Sequence, residues 1–144
     1  MRLTDHFSLE ELTESQTAAR LGLNNAPNAE MVARLIETAK HMEGVRAVLA
    51  KPVLVSSGYR SLEVNRAIGS VDASAHVKGY AVDFICPGFG NPKEVCEAIV
   101  AAGIEFDQLI LEFDAWVHIS FDPRMRGEVK TKRSKAAPYQ LGLH

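Results

Sequence analysis

Apolar residues recur at helical spacing in several parts of the chain. Between Met31 and Leu49 they stand three or four positions apart with charged residues between them, which predicts a long amphipathic helix that packs on a core. Ser8, with Glu11 three positions later, predicts a capping box at the start of an earlier helix. Four helices are predicted in all, over residues 8–22, 28–49, 61–68 and 91–103.

Short runs of β-branched and aromatic residues predict the strands. They lie at residues 52–57, 80–85, 108–113 and 116–121, and the last two flank Asp114-Ala115 as a hairpin would. The helices and strands do not follow a regular βαβ alternation. This order favours an α+β fold in which helices pack on one side of a mainly antiparallel sheet.

Composition narrows the class of protein. The chain has 144 residues, of which 47% are apolar, and a net charge of −2, so it can bury a core and is not intrinsically disordered. No apolar run is long enough for membrane insertion, and the charge gives no general attraction to nucleic acid. Met1 to His6 is not followed by an apolar segment, so no secretory signal peptide is expected in this chain.

The last part of the chain differs from the rest. Residues 123–144 carry six Lys and Arg residues before position 136 against one acidic residue, Glu128. We therefore predict a domain over residues 1–122 and a loosely ordered basic tail over 123–144, with binding to an anionic polymer as the weaker alternative.

Two histidines and one aspartate stand out as candidate metal ligands. Asp83 and His118 each interrupt a strand that is otherwise apolar, and His76 precedes Asp83 by seven positions. A carboxylate and an imidazole in core-like strands are costly unless they are paired or bind a metal. Two His and one Asp form the three-ligand set of a catalytic zinc, which leaves a fourth position for water. Satisfied structural polar residues are the other interpretation.

The predicted hairpin adds a carboxylate to this set. If Asp114-Ala115-Trp116 forms the loop, Glu112 lies directly opposite His118 and on the same face of the sheet. A general base belongs at that position. A one-residue change of register would turn Glu112 to the other face. Arg60 offers a guanidinium suited to a substrate carboxylate or an oxyanion, although a surface position explains it equally well.

Taken together, these segments resemble the zinc D-Ala-D-Ala carboxypeptidases, in particular their short single-domain branch. The resemblance covers most of residues 5–122. Its segments are Phe7–Leu12, Ser15–Arg20, Ser57–Ser61 with Asn65, Ser74–Asp83, Asp107–Ile110 with Glu112, and Trp116–Ser120.

The resemblance implies a hedgehog/DD-peptidase fold and peptidoglycan peptide stems as substrate. It implies zinc held by His76, Asp83 and His118, with Arg60 orienting the substrate or stabilising the oxyanion. The family includes phage endolysins that are made in the cytoplasm without signal peptides and reach the cell wall after release, so the same route is an expectation here.

Two positions depart from the family pattern. Ala115 stands where several relatives have a glutamate, and Trp116 stands where others have a second histidine. Glu112 is therefore the first candidate for the general base and Asp114 the second. Ser74 and Gln108 fit the pattern and are expected to bind substrate or hold the site. A non-catalytic zinc-containing module that binds cell wall or protein is the alternative function.

Overall fold

The computed structural model describes residues 1–144 and consists of five helices and six strands. The helices are α1 (Leu9–Thr13), α2 (Gln16–Leu21), α3 (Ala29–Leu49), α4 (Leu62–Ala67) and α5 (Pro92–Ala101). The strands are β1 (Leu54–Ser57), β2 (Ala81–Ile85), β3 (Gln108–Glu112), β4 (Trp116–Ser120), β5 (Glu128–Lys132) and β6 (Tyr139–Leu141). They form one sheet in the order β1-β2-β4-β3-β5-β6. Only the pair β3–β5 is parallel, so the predicted α+β fold with a mainly antiparallel sheet is confirmed.

The first predicted helix is two short helices. The capping box of Ser8 and Glu11 starts α1 as expected, but Glu14 is extended and Ser15 begins α2 by accepting a hydrogen bond from the Ala18 N–H. A serine side chain that caps a new helix competes with continuation of the old one. Gly22 ends α2 in the left-handed region, with φ +67°, as predicted.

The sheet has one apolar face and one polar face. In the three central strands β2, β3 and β4, side chains alternate between the two faces. The residues of the apolar face are fully buried against α3 and α5: Val82, Phe84, Leu109, Leu111, Val117 and Ile119. The polar face carries Asp83, His118 and Glu112, as their pairing positions require. The core therefore fixes the strands that hold the candidate site.

The prediction of a loosely ordered tail is wrong. Residues 128–132 form β5, which pairs with β3 in parallel, and residues 139–141 form β6 at the sheet edge. Where the chain crosses back to β3, Arg126 binds Asp107. Its Nε and Nη2 donate to the two carboxylate oxygens at 2.8 Å each, and its backbone N–H donates at 3.0 Å. Arg124, Lys130 and Arg133 also pair with acidic residues, so much of this basic segment is held in place.

The sequence predicted no segment for membrane insertion, and the helices can be compared with that prediction. None of them combines the length and the apolar character that crossing a membrane requires.

Candidate active site

The three predicted metal ligands meet on the polar face of the sheet. Asp83 on β2 and His118 on β4 are direct cross-strand partners, and His76 comes from the loop before β2. One oxygen of Asp83, Oδ1, lies 2.9 Å from His118 Nδ1 and 3.2 Å from His76 Nε2. One ligand atom from each residue lies within 4.8 Å of the others. The three residues, which are far apart in the sequence, therefore form one cluster in the structure.

A backbone carbonyl orients the first histidine. His76 Nδ1 lies 2.7 Å from the carbonyl oxygen of Gly58, so Nδ1 carries the proton and Nε2 turns its lone pair toward Asp83. Burial lowers the pKa of His76 and keeps the ring neutral, which is the form that binds a metal. Metal-binding histidines usually donate their other ring N–H to an acceptor of this kind.

The charges of the other two ligands depend on each other. Burial opposes ionisation of Asp83, but the two histidines outweigh it and hold the pKa of that carboxyl far below its usual range. Burial also opposes the charged form of His118, yet the hydrogen bond to Asp83 leaves the pKa of His118 raised. Two imidazole nitrogens and an ionised carboxylate, all buried, are a donor set that fits zinc.

The cluster lies in a cavity of about 400 Å³ that Arg60 and Glu112 also line. Burial is the main cause that raises the pKa of Glu112, and the neighbouring Asp83 adds to it. Burial lowers the pKa of Arg60, while Asp83 and Glu112 act in the opposite direction. The buried Nε of Arg60 has no hydrogen-bond partner. The cavity thus combines a carboxyl whose proton is held more firmly than usual with a partly buried cation.

The hairpin register differs from the predicted one by two residues. Glu112 pairs with Trp116, and His118 pairs with Ile110. Phe113 and Asp114 adopt left-handed backbone, with φ +58° and +53°, and the Ala115 N–H donates to the Glu112 carbonyl at 2.9 Å. The loop is therefore Phe113–Ala115. Because side chains alternate with a period of two, Glu112 and His118 still share a face.

The other predicted residues divide between the cavity and the surface. Ser74 and Gln108 line the cavity. Ser74 Oγ accepts a hydrogen bond from the His76 N–H at 3.2 Å, and Gln108 Nε2 donates to Glu128 at 2.8 Å. Asp114 is not on the cavity wall; it is exposed in the hairpin loop and pairs with Arg133 at 3.2 Å.

Three cavity residues come from the segment that was predicted to be a tail. Arg124, Arg126 and Tyr139 all line the cavity. The sequence around them does not indicate a position in the cavity. Little hydrophobic alternation is present in this segment, so its pairing with β3 could not be predicted. The role of the Gly58 carbonyl was also missed, since a backbone acceptor leaves no mark on the sequence beyond a small residue.

Comparison with known protein families identifies the family of most of the chain. The family model described as Peptidase M15 matches residues 5–120. No curated protein matches the chain. The matched range contains the whole His76–Asp83–His118 cluster, Arg60 and Glu112, and it ends before β5.

Proposed function

The chain belongs to the peptidase M15 family, and on this premise we propose that it hydrolyses a peptide bond in the peptide stems of bacterial peptidoglycan. The observation that carries the proposal is the buried cluster of His76, Asp83 and His118 beside Glu112 in one cavity. The family is one of zinc-dependent metallopeptidases, and the three residues would hold the zinc.

Zinc bound there would polarise the scissile carbonyl and bring the pKa of a water molecule toward about 7. Glu112 serves as the general base that accepts a proton from the attacking water and passes it to the leaving amine. A general base is most effective when its pKa lies near the working pH. The raised pKa of Glu112, caused first by burial, supports this role, and the exposed position of Asp114 disfavours it as the base.

Arg60 supplies the positive charge. Its partly buried guanidinium lines the cavity, so it can place a positive charge beside the oxyanion or a substrate carboxylate. Donors fixed in advance at the position of developing charge are a large source of rate enhancement. Ser74 holds the His76 loop, and Gln108 offers its amide to the substrate.

Two bonds in a stem peptide suit this cavity. A volume of about 400 Å³ is at the small end of ligand pockets and fits a short peptide segment. Cleavage of a terminal D-Ala-D-Ala bond would place a carboxylate near Arg60. Cleavage inside the stem, as by an endolysin-type endopeptidase, would leave the chain running through the cavity.

The test is mass spectrometry of purified peptidoglycan after incubation with the zinc-loaded protein. Three variants accompany the wild type: His118→Ala, Glu112→Gln and, as the matched control, Asp114→Asn. We expect product from the wild type and Asp114→Asn only, with zinc retained in Glu112→Gln. Free D-Ala would identify a carboxypeptidase, and defined stem fragments an endopeptidase.

Two outcomes contradict the proposal. Full activity of metal-loaded Glu112→Gln would remove that residue as the base. No product from folded, zinc-loaded wild type across several wall chemistries would instead support a non-catalytic binding module.

A further inference from the structure

One row of side chains runs across four strands of the sheet. Each member is paired with the next one across neighbouring strands. The row consists of Trp116 on β4, Glu112 on β3, Lys132 on β5 and Tyr139 on β6. Partners in a row point to the same face of a sheet. The face that carries the candidate general base therefore continues onto the last two strands, which lie outside the residues matched by the family.

The last strands are fastened to the sheet. Thr131 is buried, and its Oγ1 donates to the Gly142 carbonyl at 2.7 Å and accepts from the His144 N–H at 3.0 Å. The Gly142 N–H donates to the Val129 carbonyl at 2.8 Å. β5 itself pairs with β3 along its whole length. A residue on β6 is thus held in a fixed place relative to Glu112.

The ring of Tyr139 lies near two ammonium groups at the cavity wall. Lys132 Nζ is 4.4 Å and Lys130 Nζ 5.6 Å from the ring centroid, within the range of cation–π attraction. Lys132 is itself anchored by a 2.6 Å hydrogen bond to the Ala137 carbonyl. Tyr139 is still 52% exposed and lines the same cavity as Glu112. An oriented, accessible aromatic ring is a surface on which a peptide can pack.

The phenol also has a defined protonation state. Burial raises the pKa of Tyr139, and the negative charges of Glu112 and Asp83 raise it further. The hydroxyl group is therefore a hydrogen-bond donor at any physiological pH.

We propose that Tyr139 is a substrate-positioning residue, whose ring packs against the bound stem peptide and whose hydroxyl donates to a carbonyl oxygen of that peptide. This inference rests on the proposed function. It assigns part of the substrate specificity to the β5–β6 segment. The contact is made with bound peptide before and during the reaction alike, so its loss should change binding more than chemistry.

The test compares Tyr139→Phe and Tyr139→Ala with Gln140→Ala as the matched control. Gln140 is the next residue of β6, points to the other face and does not line the cavity. Peptide hydrolysis is measured as a function of substrate concentration, together with zinc content and Tm. We expect Tyr139→Phe to raise KM by about threefold to tenfold, as loss of one hydrogen bond predicts, and Tyr139→Ala to raise it more.

In both variants kcat and zinc content should stay near wild type, and Gln140→Ala should leave KM unchanged. Unchanged KM in both Tyr139 variants, or a loss of kcat with KM constant, would overturn the inference while leaving the proposed function intact. If the wild type hydrolyses nothing, the proposed function fails. Calorimetric binding of a synthetic stem peptide then decides about Tyr139: weaker binding to Tyr139→Ala supports its role, and equal binding refutes it.

Discussion

Gly58→Ala tests how the N-terminal helix holds the candidate metal site. A Cβ atom at Gly58 would lie 2.4 Å from the carbonyl oxygen of Leu12 and 2.9 Å from its Cα. Both are backbone atoms, so no change of rotamer can relieve the overlap. The same stretch forms two hydrogen bonds: the Tyr59 N–H donates to Leu12 at 2.7 Å, and the Gly58 carbonyl accepts from His76 at 2.7 Å.

The magnitude follows from these contacts. Overpacking by one methyl group costs about 1–3 kcal/mol, and separating Tyr59 from Leu12 adds about 1 kcal/mol for the lost hydrogen bond. We expect the free energy of unfolding to fall by about 2–4 kcal/mol in total, a large part of the roughly 5–15 kcal/mol typical of a domain. Because the Gly58 carbonyl must move, His76 loses its orienting acceptor, and zinc affinity should fall by about 10–100-fold.

Urea unfolding of the apoprotein gives the stability, and competition with a chromogenic chelator gives the zinc affinity. Gly88→Ala is the control, because a Cβ there meets only the flexible side chain of Lys51, at 3.4 Å or more. It should leave both quantities unchanged. Wild-type stability together with wild-type zinc affinity in Gly58→Ala would refute the view that close contact with Leu12 fixes the site. A loss of stability alone would show that His76 is held by other contacts.

Other predictions concern stability alone. Gly44→Ala, in the interior of α3 with only an ordinary 3.7 Å contact to Ile104, should stabilise the protein by about 0.5–1 kcal/mol, as thermal unfolding would show. Ala50→Gly should stabilise it by a similar amount, about 1 kcal/mol, because Ala50 ends the same helix with φ +54°; a fall in Tm would contradict either reason. Arg126 donates to Asp107 and lowers the pKa of that carboxyl, so Asp107→Asn should cost about 1–3 kcal/mol at pH 7. The difference in stability from wild type should persist down to about pH 4, the pKa of Asp107 in the unfolded chain. It should vanish as the pH falls through the lowered pKa of Asp107 in the folded protein. An equal difference in urea unfolding at low pH would argue against the ion pair.

The central site could be predicted because its residues break a strong local pattern. Asp83 and His118 are polar residues inside strands whose other members are apolar, and such positions need a partner. The predicted register of the hairpin was wrong by two residues, yet Glu112 still lies on the same face of the sheet as His118. Side chains along a strand alternate between the two faces of the sheet. An error of two residues in the register therefore leaves a side chain on the same face, whereas an error of one residue moves it to the other face.

The strands β5 and β6 could not be predicted because their residues follow no strong local pattern. β5 contains three charged residues in five and only one fully buried side chain, Thr131. Its order comes from pairing with β3, twenty residues earlier, and from the clamp between Arg126 and Asp107. Neither contact is local, so composition alone favours a solvated tail. The break between α1 and α2 was missed because Ser15 is compatible with both a helix interior and a cap.

The sheet separates two requirements of a peptidase. Metal ligands must keep their geometry within a fraction of an ångström, and two of them stand on β2 and β4, whose opposite faces are fully buried against the helices. Substrate selection needs a wall that can change without disturbing the ligands. β6 meets this need, because it is an edge strand that contacts the ligand strands only through β5 and β3. If Tyr139 positions the substrate from that edge, replacing the β5–β6 segment should alter which stem peptide is bound while the zinc site is retained.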